Sequence, residues 1–347
     1  MKYGRHQIDK AGEIILSSSK EEEVKEAMDK VNDWRTLHLT ALDAFQKSII
    51  PLLEKNKIKP VFISRRLKRL TSILYKLDIN PQMKLGGMQD IGGLRIVLPD
   101  VDSLAIMQEV LKSNIPENFS FIKCMNYVNN PKESGYRSIH FIYKFMASNK
   151  DVDGMKIELQ IRTKLQHNWA MAVETAGLIT NTQLKSSQGA NEWLNFFKIV
   201  SSLFAIKEKL PILLEHQNNN YNMENLMKIL YNINKKHNYN DTLKALRVST
   251  VEAKKNNFSN GYYILHINFE TKKMLIYSFS KDKENTAMQR YSTLEKSAVD
   301  KTNAVVLVSV PKMKELQEAY PSYFLDTSDF LKAIDAMIKN CKKCNYV

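Results

Sequence analysis

The sequence predicts an α+β protein: a mixed sheet flanked by helices, followed by a second, smaller helical and β-containing C-terminal domain. Three observations carry this. The chain of 347 residues exceeds the usual size of one domain, so one large or two modest cores are expected. Its N-terminal part shows apolar residues at helical spacing, then short β-branched and aromatic runs bounded by glycine, proline or polar turns. An asparagine-rich break, "HQNNNYN" at 216–222, is followed by a further series of helix and strand patterns.

Taken in order, "SKEEEVKEAMDKVNDWRTLHLTALDAFQKSIIPLLEK" opens with serine and acidic residues, a helix-start pattern, and predicts one long amphipathic helix or two. "SRRLKRLTSILYKL" repeats the pattern, with Leu67, Leu70, Ile73, Leu74 and Leu77 on one face and Arg66, Lys68, Arg69 and Lys76 more exposed. "GLRIVL", "YRSIHFIYKF" and "MKIELQIR" read as strands of one sheet, and "TKLQHNWAMAVETAGLI" returns to helix. Beyond the asparagine-rich break lie a lysine-rich helix, the hairpin candidate "GYYILHINFETKKMLIYSFS", the buried strand "AVVLVSV" and two terminal helices. The expected division is 1–180, a helical connection over 181–255, and 256–347.

A formal charge of +14 points to polyanionic partners such as nucleotides or RNA. Cys124, Cys341 and Cys344 are too few for a disulfide framework, and no apolar N-terminal signal or membrane-length run occurs, so a soluble chain in a reducing cytoplasm is expected. The terminal "CKKC" has the spacing of half a metal site, but two thiols without a second pair leave zinc incomplete, and a solvated helix end is the expected reading.

The chemistry concentrates in two stretches. In "MKIELQIR", Glu158, Gln160 and Arg162 share one strand face while Ile157, Leu159 and Ile161 share the other. Alone, such alternation describes a solvated sheet face. Two neighbours change its meaning. In "GYRSIH", Gly135 permits close backbone approach, Tyr136 offers a flat face for a base, and Arg137 and His140 offer donors for phosphate oxygens. The basic run supplies Arg66, Lys68 and Lys76. Arg95 ends "QDIGGLR", where Asp90 is a hard oxygen ligand suited to magnesium. His167 and Glu174, seven apart on the following helix, can point toward the polar strand face. Carboxylates amid several cations suit phosphoryl or pyrophosphoryl transfer, where catalysis is mostly charge stabilisation and positioning. No GxxxxGK[ST] loop occurs.

"RRLKRLTSILYKL", "QDIGGLRIV", "GYRSIH" and "IELQIRTKLQHNWAMAVE", in this order and spacing, resemble the synthetase domain of the RelA/SpoT family over roughly residues 20–180. The resemblance implies a RelA/SpoT nucleotidyltransferase-like fold and ATP-dependent pyrophosphate transfer with Mg2+. It casts Arg66 and Arg95 as the pair sandwiching adenine, and Lys68, Ser72 and Lys76 as ATP phosphate ligands. Asp90 and Glu158 become magnesium ligands, with Glu158 also activating the acceptor hydroxyl. Tyr136 would stack on the acceptor base, with Arg137, His140, Gln160 and Arg162 lining the pocket. None of the seven histidines precedes an aspartate, so the His-Asp pair of the family's hydrolase is missing and a synthesis-only protein is expected.

"QHNWAMAVE" is most similar to the small synthetases, some of which resemble toxins that pyrophosphorylate the 3′ CCA end of tRNA rather than GDP or GTP. In "EAYPSYF", Tyr320 and Tyr323 form a YxxY arrangement similar to that of the CapRel proteins, toxin and antitoxin fusions of antiphage defence. That resemblance implies an autoinhibited toxin domain over 1–180, restrained by an antitoxin-like pseudo-zinc-finger over 256–347. The tyrosines would cover the adenine site until a phage protein, often the major capsid protein, binds the C-terminal domain. The alternative expectation is an alarmone synthetase using GDP or GTP.

Overall fold

The computed structural model describes residues 2–180, 191–244, 250–253, 261–268, 270–271, 273–297, 303–310, 315–320, 324, 327–344 and 346. The chain opens with helices α1 (Arg5–Ser17) and α2 (Glu21–Lys55). α2 stays a single 35-residue helix although Pro51 lies inside it. Proline removes one helical hydrogen bond, and the buried Ile49 and Leu53 on either side hold the last turns against the core.

Strand β1 (Phe62–Leu67) and helix α3 (Leu70–Asp78) follow, then β2 (Gly92–Leu98), α4 (Val101–Ser113), β3 (Phe119–Asn126), β4 (Ile139–Phe145) and β5 (Lys156–Thr163). The expectation of one helix through "SRRLKRLTSILYKL" is corrected here: its first residues are strand, and helix begins at Leu70. The reason is tertiary. β1 is hydrogen-bonded on both sides, antiparallel to β2 and to a late strand, and an interior sheet position overrides the local helical spacing.

Helices α5 (Lys164–Thr180), α6 (Asn191–Lys207), α7 (Leu214–Asn218), α8 (Met223–His237) and α9 (Tyr239–Lys244) come next. They precede strands β6 (Thr250–Ala253), β7 (Tyr262–Asn268) and β8 (Lys273–Phe279). The chain then forms α10 (Glu284–Ser297), β9 (Asn303–Ser309), the short α11 (Leu316–Ala319) and α12 (Ser328–Lys343). No described helix is long and apolar enough to cross a membrane.

All described strands join one sheet in the order β3-β4-β5-β2-β1-β9-β7-β8-β6. β2–β5 and β6–β8 are parallel and the other pairings antiparallel, so the sheet is mixed. The strands of the C-terminal region therefore continue the N-terminal sheet through β9, which pairs Arg65 with Ser309 and Arg66 with Val308.

Apolar side chains gather in three clusters. One lies between the sheet and α2, where Phe45, Leu94 and Ile157 meet Tyr291 and Met288 of α10. A second joins α5, α6, α8 and α12, with Trp169, Phe197, Leu230 and Phe330 buried together. The third, containing Phe62, Val97, Tyr263, Val308 and Tyr320, lies beside the polar strand face that holds the site.

Candidate active site

Pleating aligns the polar residues. In register, Arg66 of β1 sits beside Gly93 of β2, which sits beside Glu158 of β5; in the next row stand Ser64, Arg95, Gln160 and His140. Paired residues point to one face of a sheet. Ser64, Arg66, Lys68, Asp90, Gly93, Leu94, Arg95, Glu158, Gln160 and Tyr320 line a common pocket. Gly93 forms its floor: a Cβ there would meet nothing nearer than the Arg66 and Glu158 carbonyl oxygens at 3.9 Å. No positive φ requires glycine here; a side chain would instead occupy the open space above the floor.

At one end, Lys68 and Lys76 donate to the two oxygens of Asp90, at 2.7 and 3.0 Å. Burial would raise the Asp90 carboxyl, but the two ammonium groups outweigh it and hold it at about 2. Lys68 is itself lowered, chiefly by burial. Ser72, on the first turn of α3, is half-buried and does not line the pocket.

A relay of hydrogen bonds runs along the pocket's other side. Arg95 Nε donates to Gln160 Oε1 at 3.4 Å, and Gln160 Nε2 to Glu158 Oε2 at 2.6 Å. Glu158 Oε1 then faces His140 Nδ1 at 2.9 Å, and His140 Nε2 meets the Tyr136 hydroxyl at 2.9 Å. Burial disfavours the charged form of His140, but the Tyr136 hydroxyl and Glu158 carboxylate on either side prevail and raise its pKa. Glu158 is lowered: burial pushes it up, the His140 charge more than compensates, and Asp90 opposes. The Tyr136–His140–Glu158 relay is absent from the sequence reading, which set His140 toward a phosphate. Register pairing of β4 with β5 brings it about, and the alternation of "YRSIHFIYKF" is the only local sign of it.

The cations are crowded. Arg95 is lowered by burial and by Arg66, and Arg162 is lowered to about 9 by burial and by Arg95. Arg162 Nη2 lies 2.6 Å from His167 Nδ1, and Glu174 also acts on both arginines. Buried like charges at this density are held against their mutual repulsion, which an incoming polyanion would relieve.

Two further expected residues, Arg137 and Tyr136, are also placed differently. Arg137 does not line the pocket; it donates to the Val128 and Pro211 carbonyls at 2.8 and 2.7 Å and to Ser201 Oγ at 3.3 Å, fastening the turn to α6. Gly135 has φ +92°, and a Cβ there would come within 2.8 Å of Ser201 Cβ, so that turn requires glycine. Tyr136 is buried against Tyr127 and His140, with its hydroxyl committed to the relay.

Tyr320 completes the pocket. It is 2% exposed, its hydroxyl donates to the Arg65 carbonyl at 2.8 Å, and it shares the lining with Arg66 and Arg95. Tyr323 lies outside the described residues. The space left is about 50 Å³, room for a few waters rather than a purine. Of Cys341 and Cys344 the first is buried and the second exposed. Among the described residues no group of three or more histidine, cysteine, aspartate or glutamate side chains could hold a metal ion. Asp90 and Glu158 in one pocket fit the other mode, in which one or two carboxylates and substrate phosphates share a magnesium ion.

The sequence family described as "Region found in RelA / SpoT proteins" matches residues 65–180. GTP pyrophosphokinase YjbM of Bacillus subtilis (strain 168) is 36% identical over 114 residues, 31% of this chain. The match spans 52% of YjbM, so the chain covers about half the length of that relative. Among solved structures, small alarmone synthetase 2 of Bacillus subtilis aligns with 25% identity over 52% of this chain and 95% of its own, with a TM-score of 0.43. Small alarmone synthetase 1 bound to its product pppGpp aligns with 26% identity over 43% of this chain and 75% of its own, with a TM-score of 0.38. GTP pyrophosphokinase YwaC, also of Bacillus subtilis (strain 168), is 30% identical over 169 residues that make up 45% of this chain and 78% of YwaC. With 78% of that relative matched at 30% identity, and the family region at residues 65–180 holding Arg66, Lys68, Asp90, Arg95, Glu158 and Gln160 of the pocket, the chain belongs to the RelA/SpoT family.

Proposed function

We propose that the protein is an ATP-dependent pyrophosphokinase whose donor site is closed by its own Tyr320. One observation carries the reading: the tyrosine buries itself in a cation-lined pocket beside the residues expected to hold ATP, hydrogen-bonded to the backbone of β1. Arg66 and Arg95 would flank the adenine, and Lys68 and Lys76 would neutralise the phosphates. Magnesium held by Asp90 and Glu158 would polarise the transferred group as a Lewis acid. The acceptor hydroxyl attacks the β-phosphorus, Glu158 takes its proton, the bond to the α-phosphate oxygen breaks, and AMP leaves.

Two acceptors are supported by different observations. The names of the matched Bacillus subtilis relatives favour a guanine nucleotide. The charge of +14 favours a larger polyanion, the 3′ CCA end of tRNA, whose modification would block translation. On the second reading the protein is a toxin and antitoxin fusion acting in antiphage defence. A phage protein, the major capsid protein first among candidates, would bind the C-terminal region and draw Tyr320 out.

The deciding experiment incubates wild type and Tyr320→Ala with γ-labelled ATP, magnesium, and GDP, GTP or deacylated tRNA. Label entering tRNA alone supports the toxin reading, and label entering a guanine nucleotide alone supports the alarmone reading. No transfer to any acceptor by the opened variant would sink the proposal.

A further inference from the structure

Helix α3 carries Lys76 and follows directly on Lys68, yet it has no cap of its own. Its N-cap residue, Arg69, makes no side-chain capping bond, and its first turn contains no acidic residue. The leading N–H groups of a helix lack intrahelical partners, and a helix of 9 residues is marginal without external support. The missing acceptor comes from 225 residues downstream, where Glu295 Oε1 of α10 accepts the Leu70 N–H at 2.9 Å. A carboxylate there also faces the positive end of the helix dipole.

Glu295 is held in turn. Its Oε2 pairs with Arg35 Nη1 at 2.9 Å, and the Tyr291 hydroxyl donates to Oε1 at 2.6 Å. Arg35, wholly buried in α2, also donates through Nη2 to the Lys68 carbonyl at 2.8 Å and to the Tyr291 hydroxyl at 2.9 Å. Burial would lower the Arg35 pKa, but Glu295 and Tyr291 more than offset it and raise it. The main chain at 68 and at 70 is thus gripped by one arginine and one glutamate from opposite ends of the sequence. Lys68, whose carbonyl is in that grip, and Lys76, farther along α3, both hold Asp90.

We infer that Glu295 is a positioning residue for donor binding: it caps α3 from the C-terminal region and thereby sets the spacing of Lys68 and Lys76 about Asp90. The inference rests on the pocket being the ATP site. The C-terminal region then has two opposed effects on one site, since α11 brings Tyr320 into the pocket while α10 braces the pocket's phosphate end. Detaching the whole C-terminal region would remove the brace together with the plug.

The test uses the full-length chain in a Tyr320→Ala background. Affinity for a non-hydrolysable ATP analogue is measured by calorimetry, and melting temperature is recorded for every variant. Glu295→Gln, which keeps shape but loses the charge facing Arg35, should weaken analogue binding about tenfold. Tyr291→Phe leaves the ion pair intact and should weaken it about twofold to threefold. Leu226→Ala, a core truncation in α8 remote from α3, supplies a loss of melting temperature without touching the brace and should leave affinity unchanged. If all folded variants bind equally, or Leu226→Ala loses as much affinity as Glu295→Gln, the inference is overturned while the ATP site stands. If Glu295→Gln does not fold, Tyr291→Phe against Leu226→Ala decides the matter. Absence of binding in the Tyr320→Ala parent would overturn the ATP-site reading and the inference with it.

Discussion

At the scale of single residues, Gly93 and Glu158 serve the pocket in opposite ways. Gly93 contributes emptiness, because the nearest neighbours of an added Cβ are backbone oxygens at 3.9 Å. Gly93→Val should therefore fold, with a melting temperature within a few degrees of wild type, while its branched side chain fills the floor between Arg66 and Glu158. Binding of the ATP analogue in a Tyr320→Ala background should be lost; undiminished binding would place the donor elsewhere. Glu158 contributes charge. Glu158→Gln keeps the volume but removes the charged partner of His140 and the proposed proton acceptor, so transfer should fall by at least about a hundredfold with the fold intact. Retention of transfer by a folded variant would refute the assignment. Both residues stood in sequence runs whose spacing is informative, although the emptiness of Gly93 could not be seen there. A glycine in a strand pattern shows that a side chain is missing, not which side of the sheet needs the room.

At the scale of elements, β5 and α5 were legible because their patterns are local: a period of two in "IELQIR", then an apolar helical face. β1 was not, because "RRLKRLTSILYKL" satisfies helical spacing and only its neighbours β2 and β9 make its first residues extended. The pairing of β1 with β9 joins residues more than two hundred positions apart, and no periodicity encodes such a partner. Helix α2 shows how this junction is fastened. Its Asp43 accepts from Lys47 at 2.7 Å, from Arg65 of β1 at 3.1 Å, and from Lys281 of the C-terminal region at 3.2 Å. Burial alone would raise the Asp43 carboxyl, but these three cations hold it at about 2. A carboxylate with a depressed folded pKa adds stability that is complete above its unfolded value of about 4 and lost as pH falls through the folded value. With two of the three partners largely exposed to solvent, the contribution is ~1–2 kcal/mol at pH 7. Asp43→Asn should lose that amount in denaturant unfolding at pH 7, and the deficit should shrink toward zero between pH 4 and pH 2. A deficit that stays constant over this range would mean that the carboxylate's charge is not what fastens the junction.

At the scale of the whole molecule, the question is whether the closed pocket is one state of an equilibrium. If Tyr320 and ATP compete for one surface, the apparent affinity for ATP falls by the fraction of molecules that are open, while the rate at saturating ATP does not change. The tyrosine permits a graded test. Tyr320→Phe keeps the ring but removes the hydroxyl and with it the hydrogen bond to the Arg65 carbonyl, a net contribution of ~1 kcal/mol, and should lower the KM for ATP about fivefold if closure dominates the resting state. Tyr320→Ala also removes the buried ring, worth a further ~2–3 kcal/mol, and should lower KM by another tenfold or more, until the open state predominates. Across wild type, Phe and Ala, kcat should stay within about twofold, because on the proposed reading the ring competes only with the donor and Glu158, the proposed proton acceptor, is unchanged. Adding Glu158→Gln to Tyr320→Ala should reduce transfer at least about a hundredfold while analogue binding measured without magnesium stays as tight as in Tyr320→Ala, which separates opening from chemistry. Should the series instead change kcat with KM constant, Tyr320 would act on catalytic geometry rather than by competition. The C-terminal region would then be a working part of the enzyme at every step, not a plug that an activating partner removes.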